Sequence, residues 1–434
     1  MPKASFSEGF LKPQKDGKGG LSIDALLGDY VVAAGGNVTA GGFIKYFNGQ
    51  VKAWEDEVTL MVGPMLITGA QTYNHGRVIA LTETTLIFVY RASSASYLVV
   101  QGINFVNGGY VTTTSQTPSG VFSGADVIAV SSTKFVISTR DGTSAPYPGY
   151  LFYYSYDGTT VSLIQQAPFG ELTSLENSRI LKLSDTLLLL IYSDNINSGQ
   201  FIRTVTIGGT LTINTRVAIA NNVITSMLRS DMKLMAPGVV MYAYSDAGDT
   251  SKLKASIITI SGTIPTVGTP VIINAGNTYA IGVGRVDSLR ALILYTIGGV
   301  CYFNIISIET GSIVTVTSNI TLEAVSTNGW SDIVEPITGE LLISVMCNTD
   351  DMRIKKVTVG ADNTTKIITT TTVKGDAQIR ASILLRNRFN AGIAIVYASY
   401  PRIHEIDNRR NIYGVSIQPG APGKTIKAYT IGGI

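Results

Sequence analysis

Three stretches decide the fold: Val78-Ile-Ala-Leu-Thr-Glu-Thr-Thr-Leu-Ile-Phe-Val-Tyr90, Val127-Ile-Ala-Val-Ser-Ser-Thr-Lys-Phe-Val-Ile-Ser-Thr139 and Ile180-Leu-Lys-Leu-Ser-Asp-Thr-Leu-Leu-Leu-Leu-Ile-Tyr192. Each runs 13 residues without a gap. A short apolar run meets a polar turn, then a longer apolar run ends on an aromatic or polar residue. Branched and aromatic side chains suit a pleated sheet, and the intervening Ser, Thr, Asp and Glu suit a tight turn. Taking the closing residue as an anchor, the same unit recurs at Tyr90, Thr139, Tyr192, Tyr244, Tyr295, Val345 and Tyr397, with separations of 49, 53, 52, 51, 50 and 52. Two further strands follow each anchor, as in Phe201-Ile-Arg-Thr-Val-Thr-Ile207 and Thr210-Leu-Thr-Ile213. Four short antiparallel strands in a repeat of about 51 residues are the signature of a propeller blade.

A ring follows from edge management. One small twisted sheet has two apolar faces and cannot bury them alone. Packing sheets face to face buries both, and closing the ring removes the exposed end sheets. The expectation is therefore an all-β, seven-bladed β-propeller of four-stranded blades over residues 66–413, with six or eight blades as the alternatives if one repeat is degenerate. Residues 1–65 and 414–434 lie outside the repeat, and their strand-like runs are expected to pair into one small β module. Donation of a strand from either terminus to the last blade is the alternative.

Composition agrees. Charged residues make up only 15% of the chain and the mean hydropathy is +0.26, which excludes intrinsic disorder. The longest apolar run, 187–192, is far short of the roughly 20 residues a membrane helix needs. No signal-peptide stretch opens the chain, so synthesis in a cytoplasm without membrane insertion is expected. Two cysteines, Cys301 and Cys347, cannot form a disulfide framework. Two histidines, His75 and His404, argue against metal sites and against most imidazole chemistry. A net charge of +3 is too small to imply nucleic acid.

Repeats of the form Val-Ile-Ala-Leu-x-x-Thr-x-Leu-Ile-Phe-Val-Tyr, followed by Ser193-Asp194 or Ser245-Asp246, resemble tail-fibre and spike-like virion proteins of tailed bacteriophages. Asn37-Val-Thr-Ala-Gly-Gly-Phe-Ile-Lys-Tyr-Phe-Asn-Gly49 and Gly414-Val-Ser-Ile-x-x-Gly-x-x-Gly-Lys-Thr-Ile-Lys427 resemble terminal modules of the same class. The resemblance implies a non-enzymatic virion structural protein whose propeller is displayed for recognition of a host glycan or protein. It implies other virion proteins and sister subunits as partners, with three-fold assembly as an expectation. A neck, collar or capsid-decoration protein is one alternative, and a glycan-processing propeller enzyme is another.

The chain carries no phosphate loop, zinc-binding His-Glu-x-x-His or serine elbow. No cofactor or metal is expected. Ser245-Asp-Ala-Gly-Asp-Thr250 has the flavour of a sialidase-type Asp box with the wrong spacing and no Trp. Candidate binding residues come from position. Asp141, Asp194, Asp246 and Asp350 each follow an anchor by a few residues, and equivalent turns emerge on one face of a ring. They form either a partial acidic collar or turn-starting Asp residues that bond their own backbone. Tyr147 and Tyr150 belong to a Tyr- and Pro-rich patch whose rings suit sugar or protein contacts. Arg402, Arg409 and Arg410 belong to a basic cluster in the last repeat, suited to an acidic partner. Gly282-Val-Gly284, a lone Gly-x-Gly in a strand context, reads as a close-approach or turn feature.

Overall fold

The structure, a computed structural model, describes strands between Gln14 and Thr430 and the side chains of most residues from 77 to 367; among the loops outside the described residues are 93–97, 142–147, 170–174, 195–198, 221–228, 325–331 and 348–350. The chain divides into two compact units, one of residues 58–408 and one of residues 1–57 with 409–434.

The larger unit is a β-propeller. Its sheets follow one another along the sequence, and each meanders outward from its first strand. The first sheet comprises Tyr73–Thr82, Thr85–Ala92, Leu98–Val106 and Gly109–Gln116. The second comprises Phe122–Ala129, Lys134–Asp141, Gly149–Tyr156 and Val161–Pro168. The third, fourth, fifth and sixth open on Leu175–Ser184, Ser230–Ala236, Tyr279–Arg285 and Asp332–Ile337. The seventh comprises Ile379–Leu385, Gly392–Tyr397 and Pro401–Asp407, with Thr59–Leu60 and Met65–Leu66 paired to its last strand. The opening strands touch in cyclic order, and Ile379–Leu385 returns to Tyr73–Thr82. All seven anchors lie in the second strand of a sheet.

The unit boundary differs from the one expected at residue 65. Strands 59–60 and 65–66 pair with the seventh sheet, so the division falls after Glu57. A strand from before the first sheet thus completes the last one, holding the ring shut by backbone hydrogen bonds. The smaller unit contains a five-stranded sheet in the order Leu26–Val31, Thr425–Thr430, Gly414–Ser416, Phe43–Phe47, Gln50–Ala53, which joins both ends of the chain.

Burial explains the hydropathy. Second strands are covered on both faces, so they read as continuous apolar runs: every residue of Glu340–Met346 is buried, as is all of Leu187–Asp194 except its first. Fourth strands such as Val161–Pro168 are largely exposed. Apolar clusters straddle neighbouring sheets. One joins Leu151 and Tyr153 of the second sheet to Leu188, Leu190 and Tyr192 of the third. Another joins Leu292, Cys301 and Phe303 of the fifth to Leu341, Ile343 and Val345 of the sixth. Close approach fixes two glycines. A Cβ on Gly284 would lie 2.4 Å from Leu341, and one on Gly102 would lie 2.4 Å from the Tyr156 ring.

Opening strands pose a separate problem, because one edge of each has no neighbour in its own sheet. Side chains from adjacent opening strands supply partners. Asp126 accepts from the Ile180 N–H at 3.0 Å, Asp231 from the Val283 N–H at 2.8 Å, and Glu335 from the Arg285 N–H at 2.8 Å. Arg179 donates to the Ser230 carbonyl at 3.1 Å, and Lys182 to the Val130 carbonyl at 2.6 Å. Acids take N–H groups and bases take carbonyls. Arg77, Asp126, Arg179 and Asp231 pair with Val89, Ser138, Ile191 and Ala243, each one residue before its anchor, so the charge alternates around four successive sheets at one register position. Arg77 lies 3.6 Å from Asp126, and Lys233 lies 2.6 Å from Glu335.

Removing an acceptor leaves a shielded N–H without its partner, at about 1–3 kcal/mol. Asp126→Ala is predicted to lower the unfolding free energy by about that amount in urea, and Asp126→Asn, which keeps a carbonyl oxygen, by less than half as much. Equal losses would contradict the acceptor role.

Candidate functional site

The three described acidic candidates hold one structural position. Asp141, Asp194 and Asp246 each end the second strand of their sheet, the second, third and fourth respectively. Their surroundings differ. Asp194 is fully buried. Asp141 is half-buried, and its N–H donates to the Pro148 carbonyl at 2.9 Å. Asp246 accepts from the Gly248 N–H at 3.0 Å and from Lys254 Nζ at 2.7 Å. None of the described bonds links one of these carboxylates to another. Tyr150 is half-buried, with its ring 6.1 Å from that of Phe152, and packs against the apolar cluster shared by the first and second sheets. Tyr147, Asp350, Arg409 and Arg410 lie outside the described residues. Arg402 sits in Pro401–Asp407 opposite Leu66 and Ile395, and its side chain lies outside the described residues.

The loop after Asp246 is where polar groups converge. Asp246 caps a single 3-10 turn, Ala247–Asp249, and the chain returns into the third strand at Lys252. Asp249 lies 2.8 Å from Lys252 and 3.0 Å from Lys254. Hydrogen bonds from Lys252 and Lys254 hold the Asp249 carboxyl below the usual range. The Asp246 hydrogen bond pushes Lys254 up to about 12. Thr250 and Ser251 both adopt left-handed backbone conformations, φ 53° and 58°. A β-branched residue pays a steric cost there, and such outliers gather at ligand clamps and active sites.

Across the boundary with the fifth sheet, Thr278 donates its N–H to the Ser251 carbonyl at 3.1 Å. Ala280, next to Tyr279, is also left-handed, at φ 49°. The other described non-glycine residues with positive φ are Asn319 and Asn363, a residue type that tolerates it. Arg229 precedes the opening strand of the fourth sheet, and its guanidinium lies 4.1 Å from the centre of the Tyr279 ring. One Nη1–H donates to Ser251 Oγ at 3.2 Å. A cation over the ring face is attracted by the ring quadrupole.

Sequence reasoning placed Asp246 in this loop and missed Arg229, Ser251, Lys254 and Tyr279. A signal existed. Arg229 and Tyr279 are 50 residues apart, one repeat, so they stand at equivalent places in neighbouring sheets. Lys254 is visible only through register, because it pairs with Tyr244, two residues from Asp246.

Among the described residues no group of three or more His, Cys, Asp or Glu side chains is placed to hold a metal, and no helix is long and apolar enough to cross a membrane. Cys301 and Cys347 are buried free thiols. Burial pushes the Cys301 thiol far up, away from nucleophilic use.

No protein-family model matches the chain, and no curated protein matches it. Solved structures do. A putative 6-phosphogluconolactonase from Bacteroides fragilis is 13% identical over 81% of this chain and 96% of that one, with a TM-score of 0.49. An ulvan lyase bound to a glucuronate–sulfated rhamnose saccharide is 9% identical over 80% and 96%, with a TM-score of 0.49. A mutant Aleuria aurantia lectin bound to Fucα1-6GlcNAc is 10% identical over 69% and 96%, with a TM-score of 0.40. Lectins and enzymes both occur among these likenesses, and the fold assignment stands on this chain's own topology.

The loop's electrostatics carry a pH prediction. A lysine whose folded pKa is raised stabilises fully below its usual range, and that contribution is lost as pH rises through about 12. Asp246→Asn is predicted to move the Lys254 side-chain NMR titration partway back toward the ordinary lysine range. A titration left near its original value would contradict the pairing.

Proposed function

We propose that this chain is a non-enzymatic structural protein of a tailed-bacteriophage particle, of the tail-fibre or spike kind, with its propeller displayed to bind the host surface. The observation that carries the binding part is the Arg229–Tyr279 platform beside a strained loop on the fourth and fifth sheets. The carboxylates of that loop are occupied by lysines and backbone N–H groups. They are therefore poorly suited to a general acid–base pair, which needs a free proton-transfer partner. A rigid aromatic and a planar cation suit recognition. The particle role rests on the similarity of the repeats and of both terminal segments to phage virion proteins. A shallow site binds weakly, and many copies on one particle would supply avidity.

The test uses the purified full chain. It is predicted to adsorb to host cells, to compete with particle adsorption, and to leave extracted surface polysaccharide uncleaved. Release of shortened saccharides would replace this reading with a glycan-processing enzyme. Failure to adsorb to any cell would favour a connector or decoration protein.

A further inference from the structure

Charge bookkeeping around the loop singles out one group. Asp246 and Asp249 face Lys252 and Lys254, and the contacts between them run from 2.7 to 3.0 Å. Two negative and two positive charges cancel. Arg229 stands beside them with Tyr279 and Ser251 as its described partners, neither of which carries a negative charge. A guanidinium offers five N–H donors, and a single bond to Ser251 Oγ uses one of them. The guanidinium carbon lies over the Tyr279 ring, which offers the cation its π face and takes up none of its N–H donors in a conventional hydrogen bond. Arg229 and Tyr279 are both half-buried, so the charge is partly desolvated and still reachable. Partial desolvation strengthens its attraction for an anion relative to open water.

We infer that Arg229, oriented by Tyr279 and Ser251, is a subsite for the carboxylate of an acidic sugar, such as a uronic or sialic acid residue. This rests on the host-binding reading above and names the ligand class for it. A carboxylate matches the planar fork by two parallel N–H bonds. A compact ammonium cannot reproduce the fork or the stack, so lysine is a poor substitute here. The left-handed Thr250 and Ser251 turn the chain so that the Ser251 hydroxyl meets the guanidinium instead of the solvent.

The experiment is binding of the full chain to an array of uronate- and sialate-bearing oligosaccharides beside their carboxyl-reduced, neutral counterparts. At least one acidic glycan is expected to bind at least tenfold more tightly than its neutral form. Arg229→Gln is expected to weaken that binding about 10-fold to 150-fold, the range of a charge-assisted hydrogen bond, with the thermal midpoint unchanged within a degree or two. Arg229→Lys is expected to recover only part of it, and Tyr279→Phe most of it. Binding confined to neutral glycans, acidic binding indifferent to Arg229→Gln, or silence on every acidic glycan would each overturn the inference. Adsorption of the same protein to host cells is scored separately. Adsorption with a silent array sinks the carboxylate subsite alone, and loss of both sinks the host-binding reading as well.

Discussion

Every sheet in this ring begins with a strand that has no neighbour on one side, and the rest of the architecture depends on how that edge is satisfied. An unpaired backbone group shielded from water costs about as much as a lost hydrogen bond. Here the adjacent opening strand supplies the missing partner from a side chain. Carboxylates of Asp126, Asp231 and Glu335 meet N–H groups, and cations of Arg179 and Lys182 meet carbonyls. Donor and acceptor demand thus sets the sign of the charge, which is why basic and acidic residues alternate at one register position. The same bonds fix the height of each sheet against the next, and the apolar clusters between sheets then pack in register.

That scaffold determines what the loops can do. Five of the seven second strands end two residues after their anchors, so the residues that follow become equivalent corners of the ring. At the corner between the fourth and fifth sheets, internal ion pairs consume the loop's own acids and lysines. What stays available is an arginine lying on a tyrosine, one residue from each sheet. In the proposed reading this arrangement holds a ligand, since its titratable groups are locked to each other. Asp231 shows the contrast within the inner ring. Burial pushes its carboxyl up despite Arg179, the Val283 N–H and Lys233, so its charge weakens the fold progressively as pH rises past the ordinary aspartate range.

Much of the fold was legible because it is periodic. The anchors at Tyr90 through Tyr397 mark second strands, whose burial on both faces makes their apolar runs long and uniform. The sixth repeat, which lacks a tyrosine at its anchor, still folds the same way because Val345 fills that buried position. Of the two readings open for Gly284, close approach or turn, the structure shows the first, since the Leu341 and Ile333 side chains leave no room for a Cβ. Less visible were features that depend on pairing across the ring. Strands 59–60 and 65–66 are too short to announce that they complete the seventh sheet. Asp141, Asp194 and Asp246 look alike in sequence, yet one is buried and another is bound to a lysine eight residues on. Arg229 and Tyr279 meet only because one repeat of chain separates them.

That the ring is an outward-facing binding element of a phage particle is a proposal. Electron microscopy of intact particles labelled with antibody against residues 58–408 tests it most directly. The account predicts label at several equivalent points on a tail fibre, spike or comparable projecting appendage. Label confined to the neck or to the capsid lattice, or absent from the particle altogether, would contradict it.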